Sequence, residues 1–171
     1  MAVTMGPRLR RAALLAHVAA SVGWFGAVLV VLALALVGVL GQDPLSVRGA
    51  YPLMELVARS VLVPLAVLSL VTGLVMSLGT AWGLFRHWWV LFKLALTVLA
   101  TLLLLTYLPA LELMARTAGN AGAGLDAVRN VSPVLHAGAA LLVLLAAMVL
   151  AVFKPRGLTQ YGWRKGRRTA R

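Results

Sequence analysis

The chain has 171 residues, is 62% hydrophobic and only 12% charged, and carries a formal net charge of +12. Its mean hydropathy is +0.97. Soluble domains run nearer ~45–50% apolar and ~25% charged, so composition alone places it among helical membrane proteins, with a length suited to one compact bundle. There is no cysteine. That excludes disulfides, thiolate zinc sites and cysteine-held iron–sulfur clusters.

A tail with Arg8, Arg10 and Arg11 precedes the first predicted span, residues 12–40. This run is too long for a signal-peptide core and reads as a retained transmembrane helix. Gly41, Gln42, Asp43 and Pro44 end it. A loop with Arg48 leads to Pro52, read as the first residue of helix 2, residues 52–78. Glu55 and Arg59 form an i, i+4 pair there, and Pro64 predicts a kink. Ser69, Thr72, Gly73 and Met76 give helix 2 a small, mildly polar face, the kind used in close helix packing or oligomerisation. Trp82, Trp88 and Trp89 sit where an interfacial aromatic belt is expected. Helix 3 spans 88–108, with a polar stripe of Lys93, Thr97 and Thr101, and Pro109 kinks or ends it. Glu112 and Arg116 form a second i, i+4 pair. Residues 117–130 are small, polar and glycine-rich, and read as the longest loop. Helix 4 spans 131–153, with Ser132 as its cap and Pro133 in its first turn. A basic tail, 154–171, carries Tyr161 and Trp163 as interfacial anchors. The expectation is an all-α, single-domain, multi-pass membrane protein: a bundle of four transmembrane helices.

The charges are not scattered. Four spans put 12 of the 16 basic residues on the side of the two tails and the helix 2–3 turn. The other side receives Arg48, Arg59, Arg116 and Arg129 with all four acids, Asp43, Glu55, Glu112 and Asp126. Short loops rich in Lys and Arg stay cytoplasmic, so both termini are expected there. The same charge suits anionic lipid head groups. It is a topology signal, and nucleic-acid binding is not expected.

His17, Ser21 and Trp24 share one face of helix 1 at i, i+4, i+7. His17 lies six residues past Arg11 and Lys93 seven past Arg86, so both sit roughly 9–10 Å into the membrane from the same side. Histidine at that depth is costly unless it faces protein, water or a ligand. Two readings stand for His17: a hydrogen bond to Ser21, a backbone carbonyl or a helix 2–3 hydroxyl, or ligation of a metal or haem. Two stand for Lys93 as well. It either snorkels to the interface, or it turns inward beside His17 and holds an external anion, no acid being available at its depth. His136 falls in the opposite leaflet, close to the start of helix 4, so it and His17 are not expected to ligate one haem together. His87 reads as a histidine of the interfacial turn. Trp24 is too deep for the belt and reads as packing or as a cofactor shelf. There is no Walker loop, nucleophile elbow, HExxH motif or intramembrane carboxylate pair.

The pattern His17-x6-Trp24-x-Gly26 resembles the first-helix signature of a group of small bacterial membrane proteins. That group includes copper-resistance D-type proteins, HemJ-type protoporphyrinogen oxidases and several further integral membrane families. The stretch from His87 through Trp88, Trp89 and Phe92 to Lys93 is similar to their aromatic-rich helix start with an embedded lysine. Between Ala27 and Leu40 the chain has neither the arginine nor the further histidine of the HemJ-type pattern. The resemblance implies a four-helix bundle in the bacterial cytoplasmic membrane. For the HemJ branch it also implies a b-type haem, with His17 matching the first-helix histidine and Lys93 the embedded lysine. His17 is thus the candidate iron ligand, and beside it the chain's own pattern makes Trp24, Lys93 and His136 candidate cofactor contacts. The functional expectation is a haem-binding, redox-associated membrane protein. The alternative is a non-catalytic membrane subunit or permease-like bundle, as a homo-oligomer or with a membrane partner, around a polar cavity at His17 and Lys93.

Overall fold

In the computed structural model, which describes residues 5–79, 83–155 and 157–169, all regular structure among the described residues is helical. Four helices are long and apolar enough to cross a membrane: α1 (Pro7–Leu40), α2 (Pro44–Leu78), α3 (Trp88–Gly119), and a fourth span that combines a single turn, α4 (Leu125–Val128), with α5 (Ser132–Phe153). A further helix, α6 (Gln160–Thr169), closes the described chain. The spans form a ring in which α1 packs on α2 and α5, and α3 packs on α2 and α5. So α1 and α3 face each other across the bundle.

The packing is the reverse of a soluble core. Buried positions are dominated by Ala20, Ala27, Ala35, Ala50, Ala58 and Ala66, while Leu15, Leu142 and Val152 are each 70% exposed or more. Between apolar solvent and apolar side chains there is no hydrophobic drive to bury leucine. Close backbone approach at small residues supplies the contact instead. The small face expected on helix 2 is used this way within the chain: Gly73 lies against His17 of α1.

Several boundaries differ from those expected. Asp43 and Pro44 begin α2 rather than forming a loop. The Asp43 carboxylate accepts hydrogen bonds from Ser46 N at 2.9 Å and from Ser46 Oγ at 2.6 Å, and Pro44 takes the first turn, where a missing N–H costs nothing. Pro52 therefore sits inside the helix. The kink expected at Pro64 is a π-helical turn, Ala58–Leu62, which lengthens the backbone ring where proline cannot donate. Pro109 neither ends nor breaks α3, which continues to Gly119 and shortens the expected loop. The α5 start is capped by Asn130 Oδ1, which accepts from Ser132 N at 2.8 Å, so Ser132 is capped rather than capping. The tail is helical from Gln160. It docks through Thr159, whose N–H donates to Arg86 O at 3.0 Å and whose hydroxyl donates to Phe85 O. Tyr161 and Trp163 are exposed on it, as anchors would be. Trp82, Arg156 and Arg171 lie outside the described residues.

At the end remote from the termini, two arginines close the helices. Arg129 donates to Val39 O at 2.6 Å and Gly41 O at 2.7 Å, and Arg48 donates to Ala118 O at 3.1 Å, Asn120 O at 3.0 Å and Ala123 O. These satisfy carbonyls that helix ends leave open. The two predicted i, i+4 pairs form here, and Arg59 joins them by reaching Glu112 at 2.7 Å.

Arg129→Ala should lower thermal stability in detergent by about 1.5–3 kcal/mol, the usual worth of a hydrogen bond from a charged donor. Circular dichroism melts of the variant and of Arg129→Lys check it. The Ser46 hydroxyl, followed by its backbone N–H, holds the Asp43 carboxyl below its ordinary value of 3.8. The cap's charge-dependent contribution is therefore present above pH 3.8 and lost as pH falls below it through the folded-state value. Asp43→Asn keeps the cap, and its melting temperature should fall less than that of the parent over that acid range.

Candidate functional site

The polar residues of α1, α2 and α3 meet in the half of the bundle nearest the termini. His17 is placed on the inner face of α1 by its spacing to Ser21 and Trp24. Its Nδ1 lies 3.1 Å from Ser69 O and 3.0 Å from Thr72 Oγ1. A carbonyl only accepts, and the Thr72 hydroxyl already donates to Leu68 O at 2.6 Å. Nδ1 therefore carries the proton, and Nε2 presents its lone pair. Lys93 Nζ donates to that lone pair at 3.1 Å. Ser21 Oγ and Ser69 Oγ pair at 2.8 Å beside them.

Both expectations for His17 involved a specific partner, and the structure supplies the carbonyl and hydroxyl of α2 rather than Ser21. Lys93 turns inward to His17 instead of snorkelling outward. The contact spans the bundle diagonal, from α1 to α3. Thr97 donates to Lys93 O at 2.8 Å and Thr101 to Thr97 O at 2.8 Å, so these hydroxyls are largely spent on their own helix. Thr97 still lines the cavity.

That cavity, of about 230 Å³, is lined by His17, Ser21, Trp24, Ser69, Lys93 and Thr97, with Leu144, Ala147 and Met148 of α5 as its apolar wall. Its rim includes Val18, Val22 and Val152, all exposed on the outside of the bundle. No acid lines it. Among the described residues, each ion pair involves only the acids Glu55 and Glu112, at the other end.

No family model, no curated protein and no solved structure matches the chain.

Trp24 is 3% exposed and borders this cavity and a second one. The second, about 120 Å³ and apolar, runs toward the far end between α1, α3 and α5, past Val28, Leu104, Tyr107, Ala140 and His136. His136 is thus not brought to His17. It is exposed, stacks on Tyr107 with ring centres 3.8 Å apart, and donates from Nδ1 to Ser132 O at 2.9 Å. His87 lies in the turn before α3, paired in an isolated bridge with Leu158. Burial, then the Arg86 guanidinium, hold its imidazole below the ordinary value.

Haem is the cofactor that the family resemblance implies. Nδ1–H held by a carbonyl is the usual outer support of a ligating histidine, but the Nε2 lone pair that iron would need is taken by Lys93 Nζ. As arranged, the residues do not fit haem iron. Among the described residues no group of three His, Cys, Asp or Glu converges to hold a metal.

The hydrogen bonds fix one tautomer. In ¹⁵N spectra of the neutral imidazole, His17 should show a protonated Nδ1 and an unprotonated Nε2, with Nε2 moving in Lys93→Met. The reverse assignment would mean that the Ser69 carbonyl is not its partner. Gly73→Ala places a Cβ 3.2 Å from His17 Cε1 and should perturb the same signals.

Proposed function

We propose that this chain is a membrane-embedded binding or permease-like bundle whose His17–Lys93 cavity takes an anionic group, with both termini on the cytoplasmic side. One observation carries the reading. Lys93 is an inward-facing amine inside the bundle whose hydrogen-bond partner is a histidine lone pair, with no carboxylate beside it among the described residues. An ammonium group in so apolar a setting is costly without a counter-charge. An external anion supplies one, and Lys93 can turn from Nε2 toward it, while Ser21 and Ser69 add polar contacts. The orientation follows from the excess of Lys and Arg at the terminal end, where the basic tail also meets anionic lipid head groups.

The test is binding of ¹³C-labelled acetate and decanoate to the chain in nanodiscs of zwitterionic lipid, read as line broadening above protein-free discs. Lys93-dependent, saturable broadening of at least one probe is expected, lost in Lys93→Met and retained in Lys93→Arg. Broadening by neither probe would sink the reading. A reduced-minus-oxidised spectrum of the purified chain should be flat. A Soret band that His17→Ala removes would put haem ligation in its place.

A further inference from the structure

Building on the anion site just proposed, the geometry points to its occupant. We infer that the ligand is a small amphipathic carboxylate, with its head at Lys93 and its apolar tail beyond Trp24 in the second cavity. Two observations carry this. First, the cavities follow one another along the same three helices. The polar one uses Ser21 of α1, Lys93 and Thr97 of α3, and Leu144 and Ala147 of α5; the apolar one continues with Val28, Leu104 and Ala140. Trp24 lines both. Second, they differ in chemistry. One gathers an amine, an imidazole and hydroxyls, and the other is lined almost wholly by carbon. An apolar cavity near this size stays dry and accepts a small apolar group, so the second cavity suits a short or branched tail.

The route of entry agrees. The exposed rim residues Val18, Val22 and Val152 open the polar cavity toward the apolar surroundings of the bundle, between α1 and α5. A molecule already dissolved in the bilayer can pass there without crossing an aqueous vestibule. The selecting property is therefore amphipathy.

The same nanodisc measurement separates this inference from the reading it rests on. Two methylenes removed from water already account for about tenfold in affinity, so decanoate, with affinity referred to its free aqueous concentration, should bind at least about tenfold more tightly than acetate. Ala140→Phe fills the apolar cavity and should remove most of that advantage while leaving acetate binding unchanged. Ala100→Leu is the second filling variant, should one of them not fold. Independently of both, 10-bromodecanoate should quench tryptophan fluorescence of the parent more than that of Trp24→Phe. Acetate and decanoate binding alike, with Lys93 dependence, would overturn the amphiphile inference and leave the anion site standing. Preferred decanoate binding that neither filling variant alters, with no Trp24-specific quenching, would overturn the placement of the tail. Loss of all Lys93-dependent binding would remove both.

Discussion

Gly73 lies beneath the His17 imidazole so closely that a Cβ there would stand 3.2 Å from Cε1. That close approach of α1 and α2 is what the interior depends on. It brings Ser69 O and Thr72 Oγ1 to Nδ1, which fixes the tautomer, which in turn presents Nε2 to Lys93 across the bundle. The same device recurs at the opposite end. Gly38 lies against the Tyr51 ring, and the Tyr51 hydroxyl then accepts from Asn130 N at 2.8 Å. In a bundle whose outer surface is leucine and valine, small residues at helix crossings decide how near two backbones come, and hence which polar groups can reach one another.

The two ends of the molecule solve their polar requirements differently. At the end remote from the termini, arginines meet either carboxylates or open helix-end carbonyls, and the arrangement is internally complete. Each surface ion pair there adds little, about 0–1 kcal/mol, but Arg48 and Arg129 tie loops to helix ends that otherwise carry unsatisfied acceptors. At the terminal end a lysine amine and a histidine lone pair share a cavity without an acid. One end is built to be closed, and the other keeps an unmet electrostatic demand beside an opening. This asymmetry is the physical ground for proposing a binding site at His17 and Lys93.

Much of this is legible in the sequence. Runs of apolar residues longer than a bilayer is thick give four spans, and the position of Lys93 relative to Arg86, like that of His17 relative to Arg11, gives a common depth. The proline signals were harder to read. Asp-Pro is both a loop dipeptide and a helix start, and only the Asp43–Ser46 hydrogen bonds decide between them. Pro109 lies inside α3, which continues through it, and a π-helical turn directly precedes Pro64. Arg48 and Arg129 carried no signal beyond loop charge. Their partners are backbone carbonyls 70 to 90 residues away, a kind of contact that periodicity does not encode.

The sequence by itself determined the apolar spans, the charge asymmetry between their ends, and the common level along the helices at which His17 and Lys93 sit. These are properties of the chain read along its length, set by hydrocarbon thickness and helical rise. Only the tertiary structure decided that the two residues touch, that α2 rather than Ser21 holds the imidazole, and that Trp24 lines both a polar cavity and an apolar one. Those outcomes depend on which helices are neighbours and how each is rotated. That choice is made by small residues at the crossings, acting between segments that are distant in sequence.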